Sequence, residues 1–499
     1  MSQTDGLPVV PTAAPPGEAA RPECPVTPSR LLALLLCAAG CLPPSDRPDR
    51  PAEGSTVDTP GWDSGLADSG ELEEDCVAAP FPVCDATREE VYATAIADHA
   101  DACPGEVLTC APGGTVALSS IADLMPAEIT ATTGYLEERI AYRTTRSDGR
   151  PAVGSAMVFR PESPVEGLPV LVAPHGTVGL ADACAPSQNA GGNLSLILPY
   201  VATGHIVIAV DYAGLGTEGV QGYGDRRDAA RSTLDGTTAL LARVDALGMP
   251  TPQVVVAGYS QGGATAMAAR DIAESYLPEV SIHAHMSFAG GLGGAADLPL
   301  DDSLPSHPVT DEDGTRLALL AMRLYADHAA IVGESQAGGV FAESVRDTFT
   351  EALETTCIRG LTESLSTAAG GYTPPTRVDE LVDAGHLEAL MACIDGTEGC
   401  TDTAAAWHAR LAEPPPAPSP TAGPLLYVSG SEDTVHTPEA RACTLAELEA
   451  AGVAADGCLE AGLGHVDIVH FTVARALAWT HGETWTCADP IDAPACPAP

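Results

Sequence analysis

Val254-Val255-Val256-Ala257-Gly258-Tyr259-Ser260-Gln261-Gly262-Gly263 reads as a buried strand that turns sharply into a helix. Four consecutive small apolar residues suit a strand covered on both faces. The Gly-x-Ser-x-Gly that follows places glycine two residues before and two after a serine. A tight strand-to-helix turn needs that spacing, because the two backbones meet where a Cβ has no room. Such a turn holds Ser260 Oγ clear of the sheet, at the positive end of the next helix. Ser260 is therefore the candidate nucleophile.

Outward from this turn, strand and helix signals alternate. Residues 139–145 and 152–160 predict a hairpin around Ser147-Asp148-Gly149-Arg150. Short apolar runs at 169–173, 205–210 and 253–257 predict buried strands, with further strands at 281–288 and 424–429. Helices are expected over 227–247, 262–276 and 466–481. This alternation implies a mostly parallel sheet with helices on both faces. Residues 291–423 break the rhythm, with helical periodicity, no convincing strand and a closing Pro414-Pro415-Pro416-Ala417-Pro418-Ser419-Pro420. They predict a helical lid inserted into the sheet domain; a second structural domain is the alternative.

The partners of Ser260 are sought on loops at the carboxyl ends of strands. Gly430-Ser431-Glu432-Asp433-Thr434-Val435 follows the strand at 424–429 and offers Asp433 as the acid, with Glu432 its rival. Gly462-Leu463-Gly464-His465-Val466-Asp467 puts His465 in a glycine-rich loop before the last helix, as general base. His470 and His481 read as structural helix residues, and His283 and His285 as satisfied core histidines. A tetrahedral intermediate needs two N–H donors. Gln261, the residue after the nucleophile, offers one. The second is Thr177, from His175-Gly176-Thr177 after the strand at 169–173, or Asp211 at the end of the strand at 205–210.

Val210-Asp211-Tyr212-Ala213-Gly214, Gly258-Tyr259-Ser260-Gln261-Gly262 and Ala273-Glu274-Ser275-Tyr276-Leu277-Pro278-Glu279 are similar to motifs of the secretory lipases of the yeast lipase A type. Cys184-Ala185-Pro186-Ser187 and the loops bearing Asp433 and His465 extend the likeness over most of residues 115–485. The resemblance implies an α/β-hydrolase fold, a helical lid and hydrolysis of acyl esters through a Ser260, Asp433, His465 triad. It also implies an oxyanion role at Asp211. The chain departs from the family in His175-Gly176, in its leader and in its extra cysteines, and the lid sequence matches poorly.

Composition limits the partners. The 499 residues hold 68 acids and 23 basic residues, a net charge of −45. No lysine is present, so every basic side chain is arginine. The absence of lysine, beside only two Asn, reads as GC-biased coding. A chain so acidic has nothing to neutralise a run of phosphates, which excludes nucleic acid, and it has no basic patch for an anionic membrane. Fifteen cysteines point to an oxidising compartment. Twelve lie in the folded part, and spacing predicts the pairs Cys76–Cys84, Cys103–Cys110, Cys393–Cys400, Cys443–Cys458 and Cys487–Cys496, leaving Cys184 for Cys357. No CxxC motif favours zinc. Asp311-Glu312-Asp313-Gly314 lacks the remaining ligands of a calcium loop. No metal or organic cofactor is expected.

Arg30 precedes nine apolar residues, 31–39, too few to span a bilayer but suited to the core of a signal peptide. Ala38-Ala39-Gly40-Cys41 resembles a bacterial lipobox, which marks Cys41 for lipidation; cleavage by ordinary signal peptidase is the alternative. The acidic, Pro-rich residues 1–25 predict a later translation start, with Val26 as candidate. The expected organisation is leader 1–41, acidic spacer 42–75 and a cysteine-rich segment 76–114. The hydrolase core follows over 115–290 and 424–485, with the lid at 291–423 and a tail at 486–499. The expected protein is an exported, monomeric serine esterase or lipase, anchored by Cys41 lipid at a bacterial cell surface or outer membrane, or secreted. A serine peptidase on the same fold and a catalytically silent surface-binding lipoprotein are the alternatives.

Overall fold

The computed structural model describes residues 76–189, 194–292, 297–311, 314–368 and 372–492, together with 494 and 496. The leader with Cys41, the acidic spacer and Glu312-Asp313 lie outside the described residues.

Among the described residues, eleven strands form one sheet: β1 (Val107–Val116), β2 (Tyr135–Thr145), β3 (Pro151–Pro161), β4 (Val170–Pro174), β5 (Val207–Val210), β6 (Val254–Tyr259), β7 (Ile282–Phe288), β8 (Leu425–Gly430), β9 (Ala455–Asp456), β10 (Leu459–Glu460) and β11 (Pro490–Ile491). The order is β1-β2-β3-β5-β4-β6-β7-β8-β10-β11, with β9 also paired to β8. The strands from β5 to β10 run parallel, and β1–β3 form an antiparallel flank.

The main helices are α1 (Leu194–Ala202), α2 (Arg226–Ala246), α3 (Gln261–Tyr276), α4 (Thr315–Val332), α5 (Arg346–Thr355), α6 (Ile358–Ser366), α7 (Ala384–Ile394), α8 (Asp402–Ala412), α9 (Pro438–Ala450) and α10 (Ile468–Thr480). Side chains alternate across a strand, and the central strands show what that does. Leu171, Ala173, Val207, Ala209, Val255 and Ala257 pack with α1 and α10 on one face. Val170, Val172, Ile208, Val210, Val254 and Val256 pack with Ala239, Leu240 and Val244 of α2 and Ala266 of α3 on the other. Both faces are covered, which is why these strands read as unbroken apolar runs.

The hairpin is longer than the sequence predicts, and the other predicted strands shift by one or two residues. Segment 76–114 contributes β1, which pairs antiparallel with β2. Its Pro112-Gly113-Gly114 carries a register shift that hides the strand in the sequence pattern. The C-terminal segment likewise adds β11 to β10.

Between β7 and β8, α4–α8 assemble around a core of their own, including Leu317, Leu324, Phe341, Phe349, Leu361 and Trp407. Leu180 and Tyr223 of the sheet domain enter that core. An ion-pair chain also crosses the boundary. Arg410 of α8 binds Asp327 of α4 (3.1 Å) and Asp225, the N-cap of α2 (3.2 Å).

The disulfides correct the spacing argument. Cys184–Cys357 and Cys393–Cys400 pair as expected. The other four bonds are Cys76–Cys103, Cys84–Cys110, Cys443–Cys496 and Cys458–Cys487. Loop-closure entropy grows only slowly with loop length, so proximity in sequence decides little once the fold has set which side chains meet. Cys84–Cys110 laces the N-terminal segment to β1 and Cys76–Cys103 closes a loop before it, while Cys443–Cys496 and Cys458–Cys487 lace the C-terminal segment to α9 and the β10 edge. Cys458, Glu460 and Cys487 lie close enough to resemble a metal site, but the two sulfurs are bonded to each other.

Candidate active site

The turn at Ser260 forms as its glycines require. A Cβ on Gly258 would run into the Gly262 carbonyl, and one on Gly262 into the Pro174 carbonyl. Ser260 has φ 55° and ψ −120°, a strained backbone for a residue with a side chain. It is held by Ser260 N–H donating to Phe288 O at 2.8 Å and by Ala264 N–H donating to Ser260 O at 3.0 Å. β6 ends in this turn and α3 begins with Gln261, whose N–H belongs to the first turn and has no partner within the helix.

Three side chains converge there. His465 Nε2 lies 2.9 Å from Ser260 Oγ, and His465 Nδ1 lies 2.8 Å from Asp433 Oδ2. The other Asp433 oxygen accepts from Val435 N–H (2.9 Å) and His436 N–H (2.7 Å). The carboxylate is shut away from solvent, whereas the His465 side chain keeps 15 % of its surface exposed. Glu432, its rival in sequence, points to solvent. A buried acceptor behind a half-open imidazole fixes which ring nitrogen faces the serine.

The oxyanion candidates separate. The loop after β4 lies against the serine turn, since Gly176 packs on Tyr259 with 3.1 Å between its Cβ position and the Tyr259 carbonyl oxygen. That brings Thr177 and Gln261 to the same end of the sheet. Asp211 is fully buried, and its N–H donates to Ser155 O at 2.8 Å. Its carboxyl accepts from Ser155 Oγ at 2.8 Å and from Ser187 Oγ. Burial raises that carboxyl to about 7, against the opposing pull of the Ser187 and Ser155 hydrogen bonds. Asp211 thus fastens the segment at Ser187 to β3 and has no backbone donor left for a substrate.

Other residues were not legible as parts of the site. Tyr212 OH donates to His175 O at 2.7 Å, and Tyr223 OH lies 3.1 Å from Thr177 Oγ1. His436 packs under Gly291, with Nε2 2.5 Å from Tyr427 OH. Burial lowers it to about 4 despite the nearby Asp433, so it stays neutral beside the carboxylate. Its place three residues after Asp433 was the available signal. Among the remaining histidines, His470 lies on α10 and His481 caps its C-terminal end. His283 is exposed, and His285 is buried with neither ring nitrogen hydrogen-bonded. The expectation of two satisfied core histidines therefore fails for both. They share one face of β7 at opposite depths, the first at the open end of the strand.

Residues 185–297 match the family described as secretory lipase. The fold resembles the rice cell wall degrading esterase LipA from Xanthomonas oryzae, at 18% identity and a TM-score of 0.58, over 76% of this chain and 98% of that one. It also resembles Candida antarctica lipase A in its closed state, at 17% identity and a TM-score of 0.56, over 85% of this chain and 93% of that one. No curated protein matches the sequence. The fold is that of the α/β-hydrolases, as the strand order implies, with the serine turn after β6 and the acid and histidine following it in the chain.

Proposed function

We propose that this chain, an α/β-hydrolase similar to the secretory lipases over residues 185–297, hydrolyses carboxylic esters through an acyl-enzyme on Ser260. The observation that carries the reading is the continuous hydrogen-bond chain Asp433–His465–Ser260, at 2.8 and 2.9 Å. His465 Nε2 takes the Ser260 proton as Oγ attacks the ester carbonyl carbon. The N–H groups of Gln261 and Thr177 receive the developing oxyanion. The tetrahedral adduct collapses, the C–O bond to the alcohol breaks, and His465 returns the proton to the departing oxygen. Water then repeats the sequence on the acyl-serine, releasing the carboxylate and restoring Ser260. Asp433 holds the ring and stabilises its cationic form throughout.

The protein works outside the cytoplasm on this reading, supported by the six disulfides and by the secretory family match. Cys41 is the lipid anchor, residues 42–75 are the spacer, and the helices between β7 and β8 cover an apolar acyl site. Among the described residues, no helix is long and apolar enough to cross a membrane.

The test is hydrolysis of p-nitrophenyl esters across acyl lengths by wild type and Ser260→Ala. Loss of turnover in Ser260→Ala is expected. Should wild type turn over no ester faster than Ser260→Ala does, the protein would be a silent binding module, and activity on aminoacyl anilides instead would make it a peptidase. Preference for emulsified long-chain esters would identify a lipase.

A further inference from the structure

The loop that carries Thr177 is held on two sides. On the sheet side, Tyr212 OH grips the His175 carbonyl and Gly176 abuts Tyr259. From Val178 to Leu180 the loop is held by the lid. Ile358 N–H donates to Val178 O at 2.8 Å. Gly179, at φ +118°, lies against the lid backbone, its Cβ position 3.1 Å from Cys357 Cα and 3.2 Å from Thr356 O. Leu180 is buried in the lid core, and Cys184 is bonded to Cys357. Tyr223, whose hydroxyl faces Thr177 Oγ1, is buried in the same core.

We infer that the lid corner Thr356–Cys357–Ile358, acting through the Ile358 N–H, is a positioning element for the oxyanion donor Thr177, with the hydroxyl of Tyr223, a sheet-domain residue packed into the lid core, as a second hold on the donor. A backbone donor must lie within hydrogen-bond reach of the oxyanion, and a displacement of about 1 Å is enough to cost about a hundredfold in rate. The Val178 carbonyl held by Ile358 lies in the 178–179 peptide, two peptide planes beyond the one that carries the Thr177 N–H, so the corner fixes the direction in which the chain leaves the donor. Opening of the lid must leave residues 356–358 in place, since otherwise the donor moves with it. This inference rests on the ester-hydrolase reading and on Thr177 as donor.

Ile358 is the first residue of α6, preceded by Cys357 at φ −79°, ψ 161°. Proline is tolerated at a first helical position, and an extended residue suits the place before it. Ile358→Pro therefore deletes the N–H with little demand on the helix, and Ile358→Ala is the reference that loses the side chain but keeps the donor. With soluble p-nitrophenyl butyrate, kcat of Ile358→Pro should fall about tenfold or more below that of Ile358→Ala, with KM within about twofold. The Ki of a trifluoromethyl ketone, which binds as an oxyanion, should rise in parallel with the fall in kcat. Equal kcat in the two variants, or a change confined to KM, would overturn the inference. Should Ile358→Pro not fold, Tyr223→Phe removes only the oxygen facing Thr177. A severalfold lower kcat with an unchanged KM is then expected, and an unchanged kcat would contradict it. An inactive wild type would sink the ester-hydrolase reading itself, whereas an active wild type with unaffected variants would sink only this inference.

Discussion

In the sheet, the turn at Ser260 is shaped by its own glycines and closed by the adjoining strands, Phe288 O of β7 taking its N–H and Pro174 of β4 abutting Gly262. Gly258 and Gly262 leave no room for another path, β6 leads in and α3 leads out, and ten residues of sequence specify the result. In the insertion between β7 and β8, helices with ordinary amphipathic patterns bury their own core. They are joined to the sheet by contacts distant in sequence: Cys184 to Cys357 across 173 residues, and Arg410 to Asp225. Chemistry placed by short-range backbone constraint is readable from a motif. An insertion placed by long-range staples is readable only as a helical interruption, and its seating emerges with the fold.

The contrast can be broken by mutation. The largest effects should come from the triad. Ser260→Ala and His465→Gln should lower kcat about 10⁴-fold to 10⁶-fold, and Asp433→Asn about 10⁴-fold, with thermal stability little changed. Ser260→Gly should be equally inactive yet more stable by about 1 kcal/mol, because glycine accepts φ 55° without strain. Denaturant unfolding beside ester hydrolysis checks both halves. A Ser260→Gly protein no more stable than Ser260→Ala would show that the turn stores no strain.

The contact between the insertion and the sheet should fail differently. Arg410→Met removes the arginine that Asp327 and Asp225 share, whose side chains are 1% and 7% exposed, leaving Asp327 with Arg323 alone and Asp225 with the Ser147 hydroxyl and the Asp228 N–H but no cation. Breaking such a pair costs about 3–5 kcal/mol. Limited proteolysis should cut within residues 291–423 before the sheet. Uniform cleavage across both regions would mean that the two are not separately held.

That asymmetry also explains what was legible. The strands from β4 to β8, the turn at Ser260 and the order of Asp433 and His465 followed from local pattern. β1 was concealed by Pro112-Gly113-Gly114, and the two-residue strands β9–β11 are too short to show a period. Asp211 looked like a donor because it ends a strand at the right edge, but the pairing of its N–H with Ser155 depends on β3, more than fifty residues away. The cysteine partners were hidden for the same reason: they are chosen by which segments the sheet edge brings together.

A more gradual effect is expected from pH, again split between buried groups. Burial raises Asp235 to about 7 and lowers His285 to about 3. Asp235 holds its proton more tightly folded than unfolded, so its contribution is complete below pH 3.8 and is lost as pH rises through 7. His285 resists protonation when folded, so its contribution is complete above pH 6.5 and is lost as pH falls towards 3. Asp235→Asn should remove a loss of stability as pH rises from about 4 to 7, and His285→Leu a loss as pH falls from 6.5 towards 3, each of about 4 kcal/mol over its full window. Unfolding midpoints between pH 4 and 9 that keep their shape in both variants would contradict this. The smallest effect should be Glu432→Gln, with kcat within about twofold of wild type; a loss approaching that of Asp433→Asn would exchange the roles of the two acids.

The central claim is that Ser260 carries the acyl group. Reaction with a p-nitrophenyl alkylphosphonate, which forms a stable adduct on an activated serine, tests it most directly when followed by mass mapping of the labelled peptide. One phosphonyl group is expected, on Ser260, with complete loss of ester hydrolysis and no labelling of His465→Gln. A label on another residue, or an enzyme that stays active after Ser260 is fully modified, would contradict the account.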